Sequence, residues 1–278
     1  MNIVIVGLGV IGGSYALALK DCGYTHVYGI DTNFETLKTA ENKGIIKKGF
    51  THGEDILGQC DLVILSIYPD SVTKFLTENK PFFKAGAIIT DATGVKGVIV
   101  SDIEKILRDD IEFVFGHPMA GREKKGIAFA DSNVFKGANY IITPTDRTSS
   151  YAASIVENLA LDMGFKRVTR VHPEEHDALI AFTSQLPHII AVALINSDDK
   201  KYETGKFIGD SYRELTRISN INGSLWTELF LNNKENLLRS IENFETQLHL
   251  LKNGLIANDE NLLMELFKES STRRENLE

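Results

Sequence analysis

Short apolar runs alternate with helix-spaced segments through roughly the first 170 residues. Asn2-Ile3-Val4-Ile5-Val6 is rich in β-branched residues and stops at Gly7. A short run with no polar face predicts a strand buried on both sides in a parallel sheet. A helical segment over 11–22 leads to a second run, His26-Val27-Tyr28-Gly29-Ile30, which ends at Asp31. Residues 62–65, 87–89 and 113–115 continue the strand series. Residues 34–43, 71–79 and 98–107 carry helical spacing between them. Later strands over 140–142 and 166–168 flank a helix over 151–163. Strand–helix alternation of this kind builds a sheet covered by helices on both faces.

After His172 the strand signals stop. Leu237, Ile241, Phe244, Leu248, Leu251 and Leu255 follow one another at intervals of four, three, four, three and four residues. That spacing draws one apolar seam along a long helix. The seam is expected to pack on other helices, those of a second subunit included; a bundle within one chain is the alternative. The polar end, 270–278, is expected to fray. Two domains follow from these patterns: 1–170, an α/β doubly wound sheet, and 171–278, all helical.

Composition agrees with two cores. The chain has 278 residues, 43% of them hydrophobic and 24% charged. The formal net charge of −8 comes without a basic stripe, so no nucleic-acid partner is expected. Cys22 and Cys60 form no CxxC pair and no metal-ligand cluster with the histidines. No metal is expected, and reduced thiols suit a cytoplasmic protein. Residues 1–19 are uncharged, but they lack a basic leader and are broken by glycines, which does not fit a signal peptide. The apolar run 189–195 is too short to cross a bilayer, so no membrane association is expected.

Candidate chemistry begins at the first strand. Gly7-Leu8-Gly9-Val10-Ile11-Gly12 fits GxGxxG and lies between a strand and a helix, the context that gives the motif meaning. Gly7 permits the turn, Gly9 lets backbone approach a pyrophosphate, and Gly12 lets helix and strand pack closely. The helix N-terminus then holds the pyrophosphate. Asp31, 24 residues after Gly7, stands where a carboxylate accepts from the ribose hydroxyls and repels a 2′-phosphate. Thr32 and Asn33 supply no arginine, so NAD is expected over NADP. Ser66, just after the 62–65 strand, joins the cofactor set. The bland alternative is a ligand-free glycine turn with Asp31 as a helix cap. Together these features define an N-terminal Rossmann domain.

Two further segments follow strands: Thr90-Asp91-Ala92-Thr93-Gly94-Val95-Lys96 and Gly116-His117-Pro118-Met119-Ala120-Gly121. Ligands of open parallel sheets sit beyond the carboxyl ends of the strands. His117 in such a loop can take a proton from a substrate hydroxyl while hydride leaves the same carbon. By position alone, a loop histidine that bonds a backbone carbonyl fits equally well.

The Gly-His-Pro-Met-Ala-Gly run resembles the catalytic-histidine motif of the prephenate and arogenate dehydrogenase family. Ser184-Gln185-Leu186-Pro187-His188 is similar to that family's Ser-x-Leu-Pro-His segment. Thr216-Arg217-Ile218, with Trp226 nine residues after Arg217, is similar to its substrate arginine and tryptophan. The likeness runs from Gly7 to about Leu255. It implies a helical dimerisation domain after the nucleotide domain, and oxidative decarboxylation of prephenate to 4-hydroxyphenylpyruvate in tyrosine biosynthesis. It implies that His117 is the base, oriented by Thr93. Arg217 would clamp a substrate carboxylate, with His188, Ser184 and Trp226 lining the pocket. Without the resemblance these read as a surface ion pair, a core histidine, a serine bonded to a helical carbonyl and a core tryptophan.

The chain departs from the pattern in three places. Gly94 stands where the Asp-x-x-Ser-Val-Lys form has serine, Asn222-Gly223-Ser224 replaces an Asp-Pro turn, and Glu214 replaces an aspartate. Arogenate, with an amine that Glu214 would favour, is the alternative substrate. A related β-hydroxyacid or imine reductase and a silent NAD-sensing module are further alternatives. With about twenty residues after the long helix, any tyrosine inhibition is expected at the active site itself.

Overall fold

The computed structural model describes residues 1–121 and 124–277. In the first half, β1 (Ile3–Val6), α1 (Val10–Asp21), β2 (Val27–Ile30), α2 (Phe34–Asn42) and β3 (Lys48–Phe50) form one arm. The chain then crosses to β4 (Leu62–Leu65), α3 (Pro69–Asn79), β5 (Ile88–Asp91), α4 (Gly97–Ile106) and β6 (Glu112–Pro118). β7 (Asn139–Thr143), α5 (Ser150–Asp162) and β8 (Arg167–Arg170) complete an eight-stranded sheet in the order β3-β2-β1-β4-β5-β6-β7-β8. The order reverses between β1 and β4, and that switch point opens a crevice at the carboxyl ends of the strands.

Alternate residues of each strand feed two cores, one per face. Ile3, Ile5, Leu62 and Ile64 point to α1 and α5, with Tyr15 and Phe135. Val4, Val6, Val63 and Leu65 point to α3 and α4, with Phe113 and Phe115. Both faces are therefore dry, which is why the strands read as continuous apolar runs.

The sheet is not wholly parallel. β1 to β6 are, but β7 runs antiparallel to β6, with Phe115 opposite Thr143 and His117 opposite Ile141, and β8 follows β7 in parallel. The described part of the β6–β7 connection holds only 3₁₀ turns, at Ile127–Phe129 and Ser132–Phe135. Antiparallel neighbours need no crossover helix. β3 carries an exposed Lys48 and a glycine and has no apolar run, so the sequence pattern misses it.

The second half is helical: α6 (Pro173–Ile180), a π-helical turn (Ala181–Gln185), α7 (Leu186–Asn196), α8 (Asp210–Thr216), a 3₁₀ turn (Arg217–Ser219), α9 (Gly223–Asn232), α10 (Lys234–Ala257) and α11 (Glu260–Glu275). The α10 seam is buried only at its start. Leu237 is 5% exposed, whereas Leu248 is 53% and Leu255 67% exposed. One chain alone does not cover it.

The frayed end expected over 270–278 is instead helix through Glu275; Glu278 lies outside the described residues. Asn258, at φ 51°, ends α10 in the left-handed region. Asp259 then caps α11 by accepting from the Leu262 N–H at 3.0 Å. Leu263 packs against Gly254. α6, the π turn and α7 form one continuous helical run, Pro173–Asn196, long and apolar enough by length and composition to cross a membrane. The short run expected at 189–195 is thus part of a longer helix. That helix carries Asp177, Ser184 and His188 and packs against α8, α10 and the 3₁₀ turn.

Candidate active site

The glycine loop closes on itself. Gly7 has φ +85°, and a Cβ there would stand 2.5 Å from the Ser66 carbonyl oxygen. A Cβ on Gly12 would stand 1.8 Å from the Gly7 oxygen, so α1 can approach β1 only without a side chain at that position. Gly9 has open space where a Cβ would be and caps α1 with no side-chain bond. The first-turn N–H groups of α1 thus meet open space with no intrahelical acceptor, a cradle suited to an anion. A cleft of about 890 Å³ runs from Gly7 past Asp31, Ser66 and Tyr68 to Thr51 and His52. Asp31 accepts the Leu8 N–H and the Asn33 N–H, both at 2.8 Å. It therefore anchors the glycine loop as well as facing the cleft. Leu8 departs from expectation. Its side chain is fully buried against Gly29 and its N–H is given to Asp31, so both brace the loop and neither faces the cleft. Val10 is buried and Ile11 half-buried. These features fit a dinucleotide.

The strand ends of β5 and β6 carry a buried charged cluster. Asp91 and Lys96 are fully buried and paired at 2.6 Å. Lys96 also donates to the carbonyl oxygens of Gly116 at 2.6 Å and Thr93 at 3.1 Å. Asp91 accepts the Gly116 N–H at 3.0 Å. The residue before His117 is thus clamped at both backbone polar groups by one ion pair. Burial pulls the Lys96 ammonium down from its ordinary range, and Asp91 opposes that shift.

His117 is half-buried, and its Nδ1 lies 2.9 Å from Nε2 of His176. The expected link from Thr93 to His117 is not made. The Thr93 hydroxyl donates to Asp91 and lies 3.0 Å from the Lys96 Nζ. It serves the ion pair because its side chain points under the loop, at 3% exposure. Gly94 lies above: a Cβ built there comes 3.7 Å from Nε2 of His117 and 3.3 Å from Leu229. Burial, then His176 and Lys96, push the His117 imidazole well below its ordinary value of 6.5. The ring is therefore neutral near pH 7, the state a proton acceptor needs.

Helical residues close over this loop. The ring of Trp226 on α9 packs at 3.7 Å, centroid to centroid, on that of His188 on α7. Nδ1 of His188 lies 2.8 Å from the Ser184 carbonyl oxygen, inside the π turn. Such turns widen the ladder and recur at functional sites. Gln185 donates to the Leu229 carbonyl at 3.1 Å, which ties the π turn to α9. Asn222, at the start of α9, donates to the Tyr68 hydroxyl at 3.1 Å, and Glu228 accepts the Asp70 N–H at 2.8 Å. α9 therefore bridges to the nucleotide domain. Arg217 is exposed, on the turn that packs against α7. His188, Trp226 and Ser184 come together, and Leu229 links them to Gly94. Asp91 and Lys96 lie in a segment that the sequence singled out without giving either residue a role, and His176 and Asp177 escaped sequence reasoning altogether. A charged pair inside otherwise apolar strand ends was the available signal for the first two.

A doubly wound nucleotide domain, a neutral histidine beyond its strands and a helical roof define a two-domain, nucleotide-dependent dehydrogenase. Residues 15–169 match the family described as prephenate dehydrogenase, nucleotide-binding domain. Residues 172–269 match prephenate dehydrogenase, dimerization domain. The chain belongs to the prephenate dehydrogenase family, which makes it an oxidoreductase. A prephenate dehydrogenase of Lactococcus lactis is 32% identical, covering 100% of this chain and 77% of the relative. The crystal structure of prephenate dehydrogenase from A. aeolicus in complex with hydroxyphenyl propionate and NAD+ is 34% identical, with a TM-score of 0.90, covering 100% of this chain and 98% of the other. Synechocystis arogenate dehydrogenase is 25% identical, with a TM-score of 0.84 and full coverage of both chains. The nucleotide domain supports a nicotinamide cofactor, and the dimerization domain supports a homodimer.

Proposed function

We propose that the chain oxidises prephenate with NAD in the cytoplasm and releases 4-hydroxyphenylpyruvate and CO2. The observation that carries this reading is His117. It is neutral, and its Nε2 is turned toward the Gly94 loop beyond the strand ends. Nε2 accepts the proton of the C4 hydroxyl as hydride leaves C4. The ring carboxylate then departs as CO2, and its bonding electrons close the aromatic ring. The phenolate oxygen takes the proton back. NAD, when bound, supplies the hydride acceptor. Gain of the aromatic ring drives the loss of CO2. Asp31 supports NAD over NADP, because a 2′-phosphate would meet a carboxylate already ordered by two N–H groups.

Arg217 clamps a substrate carboxylate with a bidentate fork. His188, stacked on Trp226, and Ser184 line the substrate side. Tyrosine, which shares the product's ring, competes at this same site. The exposed seam of α10 is the contact face of a homodimer. Absorbance at 340 nm with prephenate or arogenate, each with NAD or NADP, tests the reading. The expected result is fastest turnover with prephenate and NAD. Turnover of arogenate alone keeps the mechanism and moves the specificity to the exposed Glu214. No turnover in any pair overturns the reading.

A further inference from the structure

His117 has two ring nitrogens, and it works as a base at Nε2 only if the proton sits on Nδ1. The structure contains a chain of groups that decides this. Asp177 on α6 is 3% exposed, and its carboxylate receives two backbone N–H groups of the α4 N-terminus: Lys96 at 2.8 Å on Oδ1 and Gly97 at 2.7 Å on Oδ2. Backbone amides can only donate, so Asp177 is held as an acceptor. Its Oδ1 also lies 2.7 Å from Nδ1 of His176. A neutral His176 therefore carries its hydrogen on Nδ1 and presents a lone pair at Nε2. That lone pair is 2.9 Å from Nδ1 of His117.

We propose that His176 and Asp177 are positioning residues for the reaction: they fix the hydrogen of His117 on Nδ1 and leave Nε2 as the free lone pair on the substrate side. The Thr93 hydroxyl does not compete for Nδ1 of His117, since it is taken up by Asp91 and the Val95 carbonyl. His176 is fully buried. Burial lowers its tendency to protonate, as does the Lys96 ammonium, against the opposing pull of Asp177 and Asp91. A neutral His176 is what the chain of bonds requires. A cationic His176 would donate from Nε2 and force the hydrogen of His117 onto the wrong nitrogen. The same carboxylate caps α4 of the nucleotide domain from α6 of the helical domain. The base is therefore set only when the two domains are docked. After His117 takes the substrate proton, Asp177 becomes its counter-charge, one ring away.

This inference rests on the proposed role of His117 as base, but its first test does not use turnover. Nitrogen-15 spectra of histidine-labelled protein with NAD bound report which ring nitrogen is protonated. A His117→Asn sample picks its signals out of the seven histidines. The expected result is a protonated Nδ1 and a bare Nε2 on His117. A bare Nδ1 with protonated Nε2 overturns the proposal whatever the activity. The expected signature in a protein that turns over no prephenate leaves the relay standing and sinks the reading of function.

Variants supply the second test. His176→Leu should lose turnover by roughly 10²- to 10³-fold with little change in KM, while His176→Gln, whose amide can accept from His117, should recover part of it. Equal loss of turnover in both variants, or a rise in KM alone, would assign His176 a merely structural role.

Discussion

The proposed role of His117 as base requires an unprotonated ring, and the fold disfavours the proton. Its imidazole is depressed by burial first and by two neighbouring groups second. The acid limb of kcat/KM reports protonation of the free base. Activity should therefore rise with pH through a midpoint below 6.5 and stay level above it. A midpoint at or above the ordinary histidine value would remove His117 from the role. His117→Asn should cut turnover by roughly 10²- to 10⁴-fold with NAD affinity unchanged by fluorescence titration. Arg217→Ala should raise KM for prephenate strongly, because a charge-assisted contact is lost; an unchanged KM returns Arg217 to the surface. Lys96→Met strands Asp91 in the interior, and the expected loss of stability is about 3–5 kcal/mol in chemical denaturation. His117 was legible from its loop and its flanking residues. Its partner was not, because His176 is 59 residues away and no local pattern joins them.

At the scale of elements, the β1–α1 unit was the most readable part. Gly7 and Gly12 each meet a steric demand of the turn, Gly9 leaves open space beside the helix start, and Asp31 lies only one strand further on. Gly12→Ala should abolish NAD binding measured by calorimetry, since its Cβ would lie 1.8 Å from the Gly7 oxygen. Normal binding would mean that helix and strand can separate at no cost. Thr93 shows the limit of motif reading. A hydroxyl one residue earlier in a loop points to the other side, and there it completes the Asp91–Lys96 pair. The reversal of β7 was equally hidden, because a strand's direction leaves no mark in its own residues. The π turn between α6 and α7 also left no signal, although Pro187 just after it cannot donate a backbone bond. What it does is local: it exposes the Ser184 carbonyl to His188.

For the whole molecule, the exposed apolar residues of α10 and α11 demand a partner. Leu248, Leu255, Ile256 and Met264 are each more than half exposed. A dimer that buries them explains why the seam continues beyond the reach of its own chain. A Leu248→Glu, Leu255→Glu double variant should sediment as a monomer where the parent sediments as a dimer. An unchanged dimer would place the interface elsewhere.

The sequence alone determined the alternation of strands and helices, the nucleotide loop with its acid, the candidate histidine in its loop and the long seam. All of these are written in neighbouring residues or in a fixed period, because they answer to local sterics and to burial of one face. Only the tertiary structure decided that His176 lies against Nδ1 of His117, which loop hydroxyl serves the ion pair, and that a carboxylate on α6 caps α4. Those are contacts between residues far apart in the chain, set by how two domains pack, and short-range pattern carries no information about them.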